Sequence, residues 1–300
     1  MAEPVFLACD WGTTNLRAWT VGADGQPIEE REFDYGVGRL SPGEAEQLFH
    51  DAVRPALSAE RLPAVLCGMI GSTLGWKVVD YLDCPASLDN LARGLDRVAE
   101  DVWLTPGLRG QGVAGAPDVM RGEETQILGW LNADPVRLQG EHLICHPGTH
   151  AKWAVARDGG LERFVTAMTG ELFGLLTKHG VLKTDRPAEL GADFDAGVEA
   201  AGDGSALASR LFTVRSRVVG GDADPAGSAS YLSGLLIGAE IASTPACLNA
   251  RPERVALIGE PELCVLYERA LTLRGIASET FDGRDAALDG LTALYRKVRP

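Results

Sequence analysis

Three short segments of this chain hold residue types at spacings that suit phosphoryl chemistry. The first is Asp10-Trp11-Gly12-Thr13-Thr14-Asn15, a polar turn between the apolar runs Val5–Cys9 and Leu16–Val21. A glycine in such a turn lets backbone N–H groups come close to a phosphate. Thr13 and Thr14 add hydroxyls, and Asp10 can hold Mg²⁺ directly or through water. The second segment is Pro147-Gly148-Thr149-His150, followed by Lys152, again between two apolar runs. Two such turns facing each other across a cleft would clamp a polyphosphate chain. His150 and Lys152, two residues apart, are expected on one strand face with a positive charge aimed at the transferring group, and Trp153 on the opposite, buried face. The third segment is Arg121-Gly122-Glu123-Glu124, just ahead of the second turn. Phosphoryl transfer to a hydroxyl or to water requires a base for the proton, and Glu123 or Glu124 could serve. Arg121 offers a fork for a carboxylate or phosphate. The plain alternatives are hairpin turns that merely favour Gly, Asp and Thr, and acidic residues that complement a helix dipole. No Walker A sequence is present, so a P-loop is excluded.

The elements that must carry these segments repeat along the chain. Strand, turn, strand, Gly turn and third strand run from Val5 to Phe33, and the same order recurs from His142 to Phe164. A slide of 136 residues sets Leu7 on Leu143, Cys9 on Cys145, Gly12 on Gly148, Thr13 on Thr149 and Ala18 on Ala154. This pattern predicts two structurally repeated halves, 1–134 and 135–300, with the closing helix 284–298 able to pack back on the first. Helices are expected at Gly43–Leu57, Glu123–Leu131, Ser228–Ser243, Glu262–Leu273 and Arg284–Val298, and an amphipathic segment at Leu88–Ala99. Buried strands are expected at Ala64–Ile70 and Arg254–Ile258, with short ones at Val102–Leu104 and Ile276–Thr280. The implied class is α/β with two similar lobes.

Composition narrows the partners. The 300 residues carry 28 Lys+Arg against 42 Asp+Glu, a net charge of −14, which repels phosphate backbones and anionic lipid. Neither a nucleic acid nor a membrane surface is an expected partner, and a bound anion would need a local basic site. The start of the chain lacks a basic segment and a long apolar core, and Tyr231–Ile241 is too short to span a bilayer. The six cysteines are scattered without metal spacing and read as buried thiols, Cys84 included. A cytoplasmic protein is expected.

The motifs also resemble a known family. Asp10–Asn15 looks like the first phosphate motif of the sugar kinase, hsp70 and actin superfamily, and 146–153 sits where the second would be. More closely, Gly68-Met69-Ile70-Gly71-Ser72, Asp83-Cys84-Pro85-Ala86, Met120–Gln126, Pro147–Trp153 and Met168-Thr169-Gly170-Glu171-Leu172-Phe173 resemble the 2-dehydro-3-deoxygalactonokinases. The resemblance runs in order from about residue 6 to 275. It implies RNase H-like (actin-like ATPase) lobes with a nucleotide cleft between them, and transfer of phosphate from ATP, with Mg²⁺, to the C6 hydroxyl of 2-dehydro-3-deoxy-galactonate. On that reading Asp10 positions the metal, and Gly12–Thr14 with Gly148, Thr149, His150 and Lys152 bracket the phosphates. Gly259 lies near adenosine, and Gly71, Ser72, Trp76 and Arg121 line the sugar-acid site. Asp118 sits where hexokinase-type sugar kinases place an aspartate, and the resemblance makes it the competitor of Glu123 and Glu124 as the base. Three positions depart from the pattern: His146 stands in place of an acidic residue, Ile258-Gly259-Glu260 lacks a second glycine, and Thr73-Leu74 replaces a polar pair. A homodimer is compatible with this reading. The alternatives are a phosphohydrolase of the same fold, using Glu123 or Glu124 to activate water, and a non-catalytic ATP-binding regulator.

Overall fold

In the computed structural model, which describes residues 3–250 and 253–299, the longest apolar runs become the central strands. Leu7, Ala8 and Cys9 are fully buried within β1 (Pro4–Trp11), as are Ile144 and Cys145 within β11 (Glu141–His146). Strands covered on both faces need such continuous apolar runs. The first sheet has the order β3-β2-β1-β4-β8-β7, with β2 (Leu16–Gly22), β3 (Pro27–Phe33), β4 (Ala64–Gly68), β7 (Asp96–Ala99) and β8 (Val102–Leu104). The second has the order β15-β14-β11-β12-β13-β6, with β12 (Ala151–Arg157), β13 (Gly160–Ala167), β14 (Arg254–Gly259) and β15 (Ala277–Asp282). In each, an antiparallel hairpin and its third strand lie on one side of the central strand, and parallel strands begin on the other. The edge strand β6 (Ala86–Ser87) comes from the first half of the chain and pairs with β13, so the halves interlock. A small sheet of β5 (Leu82–Asp83), β9 (Leu108–Gln111) and β10 (Pro117–Met120) completes the strands.

Two register details correct the sequence reading. Asp10 pairs with Arg17 across 11–16, whereas His146 pairs with Lys152 across 147–151, so the second turn is one residue shorter. Counting from the paired ends, Ala18 therefore matches Trp153 and not Ala154. The amphipathic segment expected at Leu88–Ala99 divides in two. A helix, α1 (Leu88–Arg93), opens on a Ser87/Asn90 capping box and stops at Gly94, and 96–99 then pairs with β8. Burying Leu88 and Leu91 satisfies the helical part, while the strand part depends on a neighbour that local periodicity does not reveal.

The longer helices are α2 (Glu123–Ala133), α3 (Thr169–Lys178), α4 (Ser228–Cys247), α5 (Pro261–Leu273) and α6 (Gly283–Val298). Helices α2 and α6 pack side by side and share one core with both sheets: Phe6 and Ala8, Ile127 and Leu128, Ile144 and Ala154, and Leu291 belong to it. The closing helix also reaches β1, where Tyr295 stacks on Phe6 with ring centroids 4.1 Å apart and donates to Val5 O at 3.2 Å. Short helices at Ala192–Ala200, Leu207–Leu211 and Thr213–Gly220, absent from the sequence reading, pack on α4 through Phe194, Val198 and Val214. No helix among the described residues is long and apolar enough to cross a membrane.

The α2–α6 contact depends on two glycines. A Cβ at Gly290 would fall 2.2 Å from Thr125 O, and one at Gly129 2.2 Å from Ala286 O. Gly290→Ala is expected to destabilise the protein by about 2–3 kcal/mol through overpacking. Helix propensity alone would stabilise it by about 1 kcal/mol, so the sign of the change in a urea-unfolding midpoint decides.

Candidate active site

The ends of β1 and β11 bring the two turns to the same edge of the molecule, and each turn is braced from behind. The first is held by the segment after β3. Gly36 N and Gly38 N donate to Thr14 O and Thr13 O at 3.0 and 2.9 Å, and Val37 N to Gly12 O at 3.0 Å. Trp11 Nε1 adds a bond to Tyr35 O at 2.6 Å. The backbone oxygens of the turn are thereby occupied, while the Thr13 and Thr14 side chains stand exposed. The second turn is braced by the start of α3, where Glu171 N donates to Thr149 O at 2.9 Å. Gly148 faces open space, and Thr149 is exposed.

Asp10 sits near the C-terminal end of β1, beside the first turn. Burial pushes its carboxyl up to about 6, the Arg17 guanidinium pulls against that shift, and the Glu123 and Glu260 carboxylates add to it. A carboxylate crowded in this way gains from a divalent cation, and one carboxylate joined by phosphate oxygens is a donor set that suits Mg²⁺. Arg17, which sequence reasoning overlooked, joins the halves through an ion pair with Glu260 at 2.6 Å. Its only sequence signal is its place opposite Asp10 in the hairpin.

The lysine and histidine of the second turn do not share a face. Lys152 is buried, its Nζ 3.4 Å from Glu123 Oε1 and bonded to His150 O at 3.2 Å. His150 is exposed and meets Glu171 Oε2 at 2.5 Å. The strand begins at Ala151, so the alternation rule does not extend to His150. Trp153 does point into the core, donating to Glu240 Oε1 at 2.6 Å.

The three candidate bases separate clearly. Glu123, at the start of α2, keeps some exposure, accepts from Arg121 N at 3.0 Å and pairs with Lys152. Glu124 is fully buried; it accepts from Gly122 N at 2.7 Å and Thr125 Oγ1 at 3.0 Å, and burial pushes its carboxyl up to about 8. Asp118 joins β10 to β13, accepting from Thr166 N and Thr166 Oγ1, both at 2.7 Å. Of the three, only Glu123 meets a cation of the second turn.

Arg121 turns away from Glu123 into the first half of the chain. Its Nη2 donates to Val79 O at 2.6 Å, its guanidinium lies 4.4 Å over the Tyr81 ring, and Nη1 approaches Gly71. Nε and Nη1 have no hydrogen-bond partner among the described residues. Ser72 caps its own turn, donating to Met69 O at 2.7 Å. Trp76 packs on Phe49 and His50. Gly259 is buried against Pro147 at the end of β14. Beside Gly148 opens a small apolar cavity of about 100 Å³ lined by Gly170, Phe173, Leu236, Leu263 and Tyr267. Glu240, a second residue the sequence did not single out, accepts from Trp153 and from Tyr267 Oη at 2.9 Å, tying β12 to the wall of that cavity.

A family model described as 2-keto-3-deoxy-galactonokinase matches residues 10–294. The chain belongs to this family. The 2-dehydro-3-deoxygalactonokinase of Escherichia coli is 35% identical over 298 residues, covering 98% of each chain. A Sinorhizobium meliloti protein, whose crystal structure carries the provisional name 2-dehydro-3-deoxygalactonokinase, superposes with a TM-score of 0.88 at 36% identity, over 98% of this chain and 99% of that one. At 12% identity, the Clostridium difficile activator of 2-hydroxyisocaproyl-CoA dehydratase, solved with bound ADPNP, gives a TM-score of 0.50 over 98% of this chain and 95% of its own, a likeness of fold.

The buried Glu124 carries a pH signature. Its folded-state pKa lies above its unfolded one, so folding favours the protonated form and stability is lost as pH rises towards about 8. Thermal unfolding of Glu124→Gln and the parent at pH 6 and pH 9 should show a smaller alkaline loss in the variant. Equal losses would remove Glu124 as the source.

Proposed function

We propose that this kinase transfers the γ-phosphoryl group of ATP to the C6 hydroxyl of 2-dehydro-3-deoxy-galactonate. The observation that carries the mechanism is the meeting of Glu123 and Lys152 between the two braced turns. The C6 oxygen bonds to the γ-phosphorus as the bond to the β–γ bridging oxygen breaks, and ADP leaves. The hydroxyl proton passes to Glu123, whose Arg121 N contact fixes the carboxylate's direction. Lys152 places its charge beside the transferring group. The free hydroxyls of Thr13 and Thr14 and the open turn at Gly148–His150 bind the phosphate chain. Mg²⁺ held by Asp10 would neutralise charge on the phosphates.

In this reading the two six-stranded sheets are the repeated lobes of an actin-like fold, with the nucleotide between them. The apolar cavity beside Gly148 takes the adenine ring, and Gly259 supports its edge through Pro147. The unpartnered N–H groups of Arg121 receive the substrate carboxylate near Gly71 and Ser72. Because Arg121 and Glu123 diverge, one side chain can serve each end of the six-carbon acid. Trp76 contributes to that site by packing behind it.

In a coupled assay of ADP formation, Glu123→Gln should lower kcat by about 10²–10⁴-fold while nucleotide binding persists. Asp10→Asn should lower it by about a hundredfold or more. Full turnover in Glu123→Gln would remove it as the base, and phosphate release without sugar acid would favour the hydrolase reading.

A further inference from the structure

Gln126 lies one turn beyond Glu123 on α2, and its amide reaches both strand ends at once. Nε2 donates to Asp10 Oδ2 at 3.4 Å, and Oε1 accepts from His146 Nε2 at 2.8 Å. The reverse orientation of the amide would set oxygen against the Asp10 carboxylate, so the charges select this one. His146 must then carry hydrogen on Nε2. The amide is also confined, because the start of α6 closes on it: a Cβ at Gly283 would lie 2.8 Å from Oε1. The other Asp10 oxygen receives Cys67 Sγ–H at 3.6 Å. Asp10 and His146 occupy corresponding places, each the cleft-end residue that pairs with the basic residue of its hairpin.

We infer that Gln126 is a positioning residue that ties Asp10 of the first sheet to His146 of the second, fixing the orientation of one and the tautomer of the other. The inference rests on the reading that the two turns bracket phosphates, and it gives His146 a task. With Nε2 engaged by the amide, His146 serves as a strut across the cleft. A carboxylate at position 146 would meet Gln126 Oε1 acceptor to acceptor, so glutamine and histidine form a matched pair. Together they set the spacing of the turns before any ligand arrives.

The test uses the full chain with ¹⁵N-labelled histidine, without ligand, as parent, Gln126→Glu and Gln126→Leu. Long-range ¹H–¹⁵N spectra should show His146 as the Nε2–H tautomer in the parent and in Gln126→Glu, which keeps the acceptor. That preference should be lost in Gln126→Leu. Both variants should lose about 10–100-fold in kcat, as outer partners of a metal site do, with KM for the sugar acid held within about twofold. An unchanged tautomer in Gln126→Leu, or kcat of both variants within about threefold of the parent, would overturn the inference. If Gln126→Leu does not fold, the near-isosteric Gln126→Glu decides, since it keeps the acceptor for His146 and puts a carboxylate oxygen in place of the N–H that faces Asp10. A parent that shows the tautomer but phosphorylates no sugar acid would sustain the bridge and sink the functional reading instead.

Discussion

Helices α2 and α6 approach so closely at Gly129 and Gly290 that each rests on the other's backbone, and the candidate site is assembled around that crossing. The pair lies in the core shared by both sheets, so its position fixes where the start of α2 emerges between the strand ends. Glu123 and Gln126 are one turn apart on that emerging face, directed at Lys152 and at Asp10 with His146. A wider helix separation would move these contacts apart together, because side chains anchored on one rigid helix cannot adjust independently.

Charge distribution explains how a chain of net charge −14 can accept polyanions. Lys152 and Arg17 stand opposite His146 and Asp10 in the two hairpins, and each is matched by a carboxylate, Glu123 and Glu260 respectively. The positive charge is thus local, oriented and partly desolvated, where it acts more strongly than an exposed cation in water. Glu123 and Glu260 in turn help to raise Asp10, which leaves a recessed carboxylate favoured by a cation.

Several sequence readings failed where they relied on a local rule beyond its range. Strand alternation put His150 beside Lys152, but only Lys152 belongs to the strand. Apolar periodicity joined Leu88–Ala99 into one segment, although Gly94 ends the helix and the remainder pairs with β8. The slide of 136 residues matched Ala18 to Ala154 because it had no means of registering the shorter second turn.

The sequence by itself determined the α/β class, the central strands, the two Gly-Thr turns and the family, because these are written in local apolar runs, turn chemistry and contiguous motif blocks. The tertiary structure alone decided which carboxylate of the Glu123-Glu124 pair meets Lys152 and which is buried: adjacent residues on a helix point about 100° apart, and the direction that is buried depends on what packs there. It also decided that Asp118 braces Thr166, and that Arg121 departs from Glu123. Gln126, Arg17 and Glu240 were beyond sequence reasoning for the same reason. Each acts by contact with a residue far away in the chain, and a polar side chain carries no sign of its distant partner until packing has brought the two together.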